Sequence, residues 1–470
     1  MKRAALRFAL VAALILGGGA TVTAEPRSAA QQPLIAAPGQ GVFLHVSDIH
    51  FNPLYDPSLA AELIAAPIER WDAIFQTSSI TAPSASGSDS NHPLFNAMIQ
   101  AAGRTLQTYD YVLNTGDNLA HDFHDTYVAA GGGEADYDDF VAKTMLYVDW
   151  KLEQAFAGVP LVSAFGNNDA LCGDYQLTPG SPLLAETGRG LPVVAGDPQA
   201  LRDISIGGSY ETPHPVVKDH DFLVLGNVFW SSQYENACGT AADDPGSAQL
   251  AWLEWTLFRE RLAGRSVSLI MHIPPGINAY SASRSPCAGS PPTMWTDAYT
   301  ARFLALIAAY RDVVTDAYAA HTHMDDFRVI SAADGTPIVP VRLTPSVSPV
   351  FANSPSFTLF LYDRASAAPL NYVTYVQDSS PAGPDHPLWR FSYNFRQTYG
   401  SDDYSAASLA ALASRIQTQP ATRQTWAAHY TGAAPTPINA GDWKAFACAQ
   451  TGLTPDAYET CTCPGRRDRS

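Results

Sequence analysis

The chain has 470 residues, 46% of them hydrophobic and 16% charged, enough apolar material to bury a large core, so disorder is excluded as the default state. Its formal net charge is −17 and no basic stripe interrupts it, which argues against binding a nucleic-acid polymer. A polyanionic substrate would meet unfavourable long-range charge unless bound cations inverted the local field.

In chain order, Lys2, Arg3 and Arg7 lead into the apolar run FALVAALILGGGA and the small-residue pattern TVTA, which reads as a signal peptide over residues 1–24, cleaved near Ala24. The run is shorter than the roughly 20 residues that a membrane span needs. No other long apolar stretch follows, so a secreted or periplasmic protein with no transmembrane segment is expected. In an exported chain the six cysteines, Cys172, Cys238, Cys287, Cys448, Cys461 and Cys463, read as disulfides whose connectivity the spacing leaves open.

Residues 25–40, rich in Ala, Gln and Pro, read as a leader. Ordered structure is expected from GVFLHVSDIH onward, an apolar, β-branched run that ends in metal-capable side chains. YDYVLNTGDN, VPLVSAFGNND, SVSLIMHIPPG and VVTDAYAAHTH repeat that form, and helix-like spacing falls between them at 139–157 and 247–263. Strands alternating with helices predict an α/β fold with ligands at the strand ends. Residues 77–93, 129–136 and 281–293 are turn-rich and read as surface loops. A catalytic domain over 41–375 and a C-terminal helical subdomain over 376–470 follow from the change of texture near residue 376. There the aromatic segment WRFSYNF suits either packing against the main domain or a transient lipid-surface contact.

A pair of divalent cations about 3.5–4 Å apart can hold a phosphoryl group and activate water, and needs a bridging carboxylate plus His, Asp and Asn donors. Candidates come in order: Asp48 and His50 in SDIH, Asp117 in GDN, Asn167 in GNND, His272 in MHIPPG, and His321 and His323 in AHTH. Singly, Asp-x-His is a capped turn, Gly-Asp-Asn a β-turn and a lone His a core or surface residue. Seven of them after five strand-like runs point to one site.

With these residues in place, the blocks TGDNLAHD, HIPPG and HTHMDDF resemble those of the calcineurin-like metallophosphoesterases and, within them, the acid sphingomyelinase-like phosphodiesterases. The resemblance covers roughly residues 42–375, and PLWRFSYNFRQTYG resembles the start of that group's C-terminal helical region. It implies a metallophosphoesterase β-sandwich flanked by helices. It also implies one metal on Asp48, His50 and His323, a second on Asn167, His272 and His321, and Asp117 bridging them. Zinc is the ion it implies, with manganese or iron as alternatives, and metal-bound hydroxide is the nucleophile. It further implies a Cys238–Cys287 disulfide and a bond from Cys448 to Cys461 or Cys463.

One position departs from the pattern. Where the resemblance places a His that protonates the leaving oxygen, this chain has Asn168, and an amide is no acid near neutral pH. Either the leaving group is already a good anion, as in a phosphoanhydride, or His121, four residues after Asp117, supplies the proton. The GNND run itself resembles that of endopolyphosphatases. His121 can alternatively serve only to orient a ligand. Asp169 is expected to tune a nearby His or to cap the following turn, His124 to lie in a solvated loop, and His45 to be structural. The expected function is a secreted phosphodiesterase acting on a phosphodiester such as a sphingomyelin-like headgroup. The alternatives are a phosphoanhydride hydrolase acting on polyphosphate or nucleotides, and a metal-binding scaffold without turnover.

Overall fold

The computed structural model describes residues 34–464, apart from 35, 107, 237, 239–243, 286, 288, 378–388 and 433. The signal peptide read over 1–24 and most of the leader over 25–40 lie outside the described residues. Twelve strands form among these: β1 (Gln40–Val46), β2 (Val112–Asn114), β3 (Leu161–Ser163), β4 (Tyr210–Pro213), β5 (His220–Leu225), β6 (Ser266–Met271), β7 (Val314–Ala319), β8 (Asp326–Ser331), β9 (Pro337–Leu343), β10 (Ser356–Asp363), β11 (Pro369–Gln377) and β12 (Trp389–Asn394). They make two six-stranded sheets, in the orders β12-β11-β10-β1-β2-β3 and β4-β5-β6-β7-β9-β8. Strands β1, β2 and β3 run parallel in the first sheet, and β5, β6, β7 and β9 in the second. The five runs picked out in the sequence become β1, β2, β3, β6 and β7.

The two sheets meet through an aromatic layer. Phe43 on β1 stacks on Tyr111 at 4.5 Å and Phe360 at 5.2 Å, and meets the edge of Tyr318 on β7 at 5.4 Å. Tyr111 tilts against Phe222 on β5 at 5.1 Å. Burying this layer between two twisted sheets gives the β-sandwich and fixes the registers from which the site loops depart. His45 belongs to it: it is buried, bonds Thr115 Oγ1 through Nε2 at 3.1 Å and meets the edge of Tyr318, a structural role as expected.

The helices read at 139–157 and 247–263 occupy Tyr137–Ala155 and Pro245–Ala263. The second starts where it does because the Asp244 carboxylate accepts from the Ser247 N–H and Pro245 supplies a fixed φ at the first position. It stops at Gly264, whose φ of 70° reverses the chain.

Beyond residue 376 the chain first returns to the sheet. WRFSYN forms β12, paired antiparallel with β11, with Trp389 and Tyr393 buried, before helices at Ala406–Thr418, Pro420–Tyr430, Trp443–Ala449 and Pro455–Thr462. These helices attach to β8 through Asp326, which accepts from Gln450 Nε2 at 2.9 Å and Trp426 Nε1 at 3.4 Å. The disulfides correct one expectation and meet another. Cys238 pairs with Cys172 rather than Cys287, and Cys287 pairs with Cys463, while Cys448 pairs with Cys461. The reason is reach: the Cα atoms of Cys172 and Cys238 stand 6.0 Å apart, within bridging range, because Tyr234 and Glu235 bond to the Leu177 and Tyr175 carbonyls of the loop after β3.

Candidate metal centre

The candidate ligands leave the carboxyl ends of five parallel strands: Asp48 and His50 follow β1, Asp117 follows β2, Asn167 follows β3, His272 follows β6, and His321 and His323 follow β7. The backbone there is strained. Ten non-glycine residues among those described have a positive φ, and Asp48 (46°), His50 (42°), Asp117 (57°), His321 (68°) and His323 (62°) are half of them. Such conformations each cost on the order of 1–3 kcal/mol and persist where surrounding structure over-determines them. Part of that determination is the crossing of two loops at Gly116 and Gly166, where a Cβ on either glycine would strike the other loop.

The donors converge on Asp117. Its Oδ2 lies 3.5 Å from His50 Nε2 and 3.2 Å from His272 Nε2, so one carboxylate oxygen faces an imidazole from each predicted group. His323 Nε2 stands 3.1 Å from His50 Nε2 and 3.3 Å from Asp48 Oδ1, while Asn167 Oδ1 lies 3.1 Å from His272 Nε2. Ligand-capable atoms of Asp48, His50 and Asp117 fall within 4.8 Å of one another, as do those of Asp117, His272 and His321.

Cations fit this donor set. His50 and His272 bond the carbonyl oxygens of Leu119 (2.9 Å) and Thr115 (2.8 Å) through Nδ1, which puts the proton there and turns the Nε2 lone pairs inward. Burial first, then the neighbouring imidazole of His121, holds His50 down to about 4, and burial with His272 holds His321 down to about 3. His323 is also held well below its ordinary value, chiefly by burial. Neutral imidazoles are the form that ligates metal. The buried Oδ1 of Asp48 accepts no hydrogen bond among the described residues, and burial, reinforced by Asp117, lifts this carboxyl to about 7. His272 goes the other way: against the effect of burial, Asp117 pushes it up to about 9, so a cation bound there would have to displace the proton that Nε2 holds toward Asp117.

Several residues that set this geometry were not legible as such. Asp169, expected to tune a His or cap a turn, accepts four backbone N–H groups, from Asp117 (2.9 Å), Asn118 (2.8 Å), Leu119 (3.0 Å) and Gly166 (2.8 Å). It is fully buried and ties the Asp117 loop to the Asn167 loop. Asp174 accepts from Asn167 Nδ2 at 2.6 Å, which orients the amide so that its oxygen faces His272. Tyr175 brings its hydroxyl within 3.3 Å of His321 Nε2.

His121 stacks on His50 with ring centroids 4.1 Å apart, and an atom it offers falls within 4.8 Å of His50 and His323 donors. Asp89 fixes it twice, through its backbone N–H (2.9 Å) and through Nδ1 (3.0 Å). Burial disfavours the charged ring, but the hydrogen bond and charge of Asp89 outweigh it and raise the His121 pKa. Asp89 lies in the 77–93 stretch expected to be a surface loop; Ser90 and Asn91 beside it are buried, and Ser90 exchanges backbone bonds with the His50 strand end. Asn168 turns toward Asp117, donating from its backbone to Oδ1 (2.8 Å) and from Nδ2 to Oδ2 (3.0 Å). His124 is exposed and contacts Glu134, but it lies in the first turn of the helix Phe123–Ala129 rather than in the loop expected.

No family model matches the chain. Among curated proteins it is 25% identical over 441 residues to acid sphingomyelinase-like phosphodiesterase 3b of Homo sapiens, covering 90% of each chain. It is 24% identical over 420 residues to sphingomyelin phosphodiesterase B of Dictyostelium discoideum, covering 84% of this chain and 60% of that longer protein. It is also 24% identical over 405 residues to cyclic GMP-AMP phosphodiesterase SMPDL3A of Rattus norvegicus, covering 82% of this chain and 83% of that one. The homologues are thus acid sphingomyelinase-like phosphodiesterases, the group whose motifs the sequence resembles. Among the described residues no helix is long and apolar enough to cross a membrane.

Proposed function

We propose that the chain is an exported binuclear-metal phosphodiesterase, with Asp48, His50 and His323 at one ion, Asn167, His272 and His321 at the other, and Asp117 between them. The observation that carries this reading is the approach of inward-turned imidazoles from both groups to one oxygen of Asp117. Its catalytic part is the expected 41–375 with β11 completed and β12 added, since both belong to the first sheet, and the helices after β12 make the C-terminal subdomain. Three disulfides suit an oxidising compartment and hence export. Nitrogen-rich donors mixed with carboxylate favour zinc.

Two divalent ions held by these residues would supply charge neutralisation at phosphoryl oxygens and a water made nucleophilic near neutral pH. Asp117 and Asn167 hold the coordination frame, with Asp169 and Asp174 fixing their orientation. His121, held by Asp89, gives a proton to the departing alkoxide, and the raised affinity of its ring for a proton suits that role. Asn168 has its amide committed to Asp117 and does not compete.

The substrate we favour is a phosphodiester, with sphingomyelin-like headgroups first, in keeping with the names of the homologues. A second reading, cleavage of nucleotide or polyphosphate anhydrides, draws on Asn168, because an anhydride leaving group needs no acid. The test is to load the purified chain with zinc or manganese and assay a sphingomyelin analogue, a nucleoside triphosphate and polyphosphate side by side, in wild type and Asn168→His. Diester turnover exceeding anhydride turnover supports the first reading, and the reverse supports the second. Bound metal with no turnover on any substrate rejects both in favour of a scaffold.

A further inference from the structure

The proposed reaction leaves one aromatic side chain at the site without a task. Phe351 lies on the loop between β9 and β10 and is 55% exposed, although most large apolar side chains here are buried. Its ring meets His323 at 4.5 Å between centroids and His121 at 5.5 Å, in edge-to-face geometry both times. One neighbour is a candidate ligand and the other the candidate acid, so the ring stands beside the position the departing oxygen must take.

The loop holds the ring there. Ala352, the next residue, adopts a φ of 60°, a left-handed conformation that a non-glycine residue takes only under constraint. The constraint is a set of hydrogen bonds: Asn353 Nδ2 donates to Ser346 Oγ (2.9 Å) and to the Ser348 carbonyl (3.0 Å). The backbone N–H of Ser348 donates to the carbonyl of Asp48 (3.0 Å), which ties this loop to the first ligand. A phenyl ring held half-exposed beside His323 and His121 is apolar surface that a ligand can cover, worth about 25 cal/mol for each Å² buried. Charge narrows the ligand further. Among the described residues the ion pairs of the site join His to Asp, and no Lys or Arg enters them.

We propose that Phe351 is a specificity-determining residue that packs against the organic leaving group of a phosphodiester, so that the site prefers esters of apolar alcohols to polyanionic anhydrides. This deepens the phosphodiesterase reading and rests on it. The test uses ligands with an uncleavable C–P bond: methylphosphonate and n-hexylphosphonate, titrated calorimetrically into the zinc-loaded full chain, its Phe351→Ala variant and its Phe351→Leu variant. Wild type is expected to bind the hexyl compound at least about tenfold more tightly than the methyl one. Phe351→Ala loses about tenfold on the hexyl compound and nothing on the methyl one, which also reports that the variant is folded, while Phe351→Leu keeps most of the preference. Equal binding of both compounds by wild type overturns the role of Phe351 and leaves the phosphodiesterase reading standing. So does equal weakening of both by Phe351→Ala, which marks a purely structural part. A zinc-loaded wild type that binds neither compound overturns the phosphodiesterase reading, and the role of Phe351 falls with it.

Discussion

With the Asn168 amide turned to Asp117, His121 is left as the candidate acid, and substitution tests that part. His121→Ala should lower kcat on an alkyl phosphodiester by about 10²–10⁴, the usual range for a general acid, and far less on a p-nitrophenyl ester, whose leaving group departs unaided. Metal content should not change; its loss in His121→Ala would make His121 a ligand instead. Asp169→Asn should weaken metal binding by about 10–100-fold, because an amide places an NH₂ group against N–H groups that now find a carboxylate oxygen. Competition with a chromogenic chelator measures that loss. The two residues differ in legibility. His121 is visible from its distance to Asp117 along the chain, whereas the partners of Asp169 and Asp89 come from segments that only folding brings together. Asp89 sits in a Ser- and Gly-rich stretch whose composition gives no sign of burial.

Among the elements, the parallel strands β1, β2, β3, β6 and β7 were readable because each is an apolar run that stops at a ligand. β12 was not, because WRFSYN alternates buried and part-exposed aromatics and follows a change of composition that reads as a domain boundary. The helix Tyr137–Ala155 hides a further feature. Its Asp149 is buried against β3, accepts from Ser163 Oγ at 3.0 Å through one oxygen, and leaves the other without a partner among the described residues. Burial, with the nearby Glu153 and Asp169 adding to it, raises Asp149 from its ordinary 3.8 to about 7. The unfolded chain therefore releases this proton first, and the folded chain retains it between about pH 4 and pH 7. Across that window the contribution of Asp149 to stability falls as pH rises. Asp149→Asn should gain stability relative to wild type from pH 4 to pH 7, by about 1–3 kcal/mol at neutral pH once relaxation is allowed for. Urea unfolding at pH 5 and pH 8 checks it, and a gap between the two proteins that does not widen with pH would reject it.

At the scale of the whole molecule, two sheets and a C-terminal region closed by Cys287–Cys463 and Cys448–Cys461 hold five strand ends at one place. The α/β class and the candidates Asp48, His50, Asp117, Asn167, His272, His321 and His323 were legible as strand-like runs that end in metal-capable side chains, whereas the sandwich came from the family resemblance and not from a local pattern. The disulfide pairing was not legible, since it depends on which loops fold against each other. The measurement that bears most directly on this convergence is metal stoichiometry. After the pure folded chain is stripped with chelator and reloaded with zinc, elemental analysis should find two ions per wild-type chain and fewer than one in Asp117→Asn, because both sites lose the carboxylate between them. A wild-type chain that retains no stoichiometric metal, or an Asp117→Asn chain that still holds two ions, would contradict a paired centre built on Asp117.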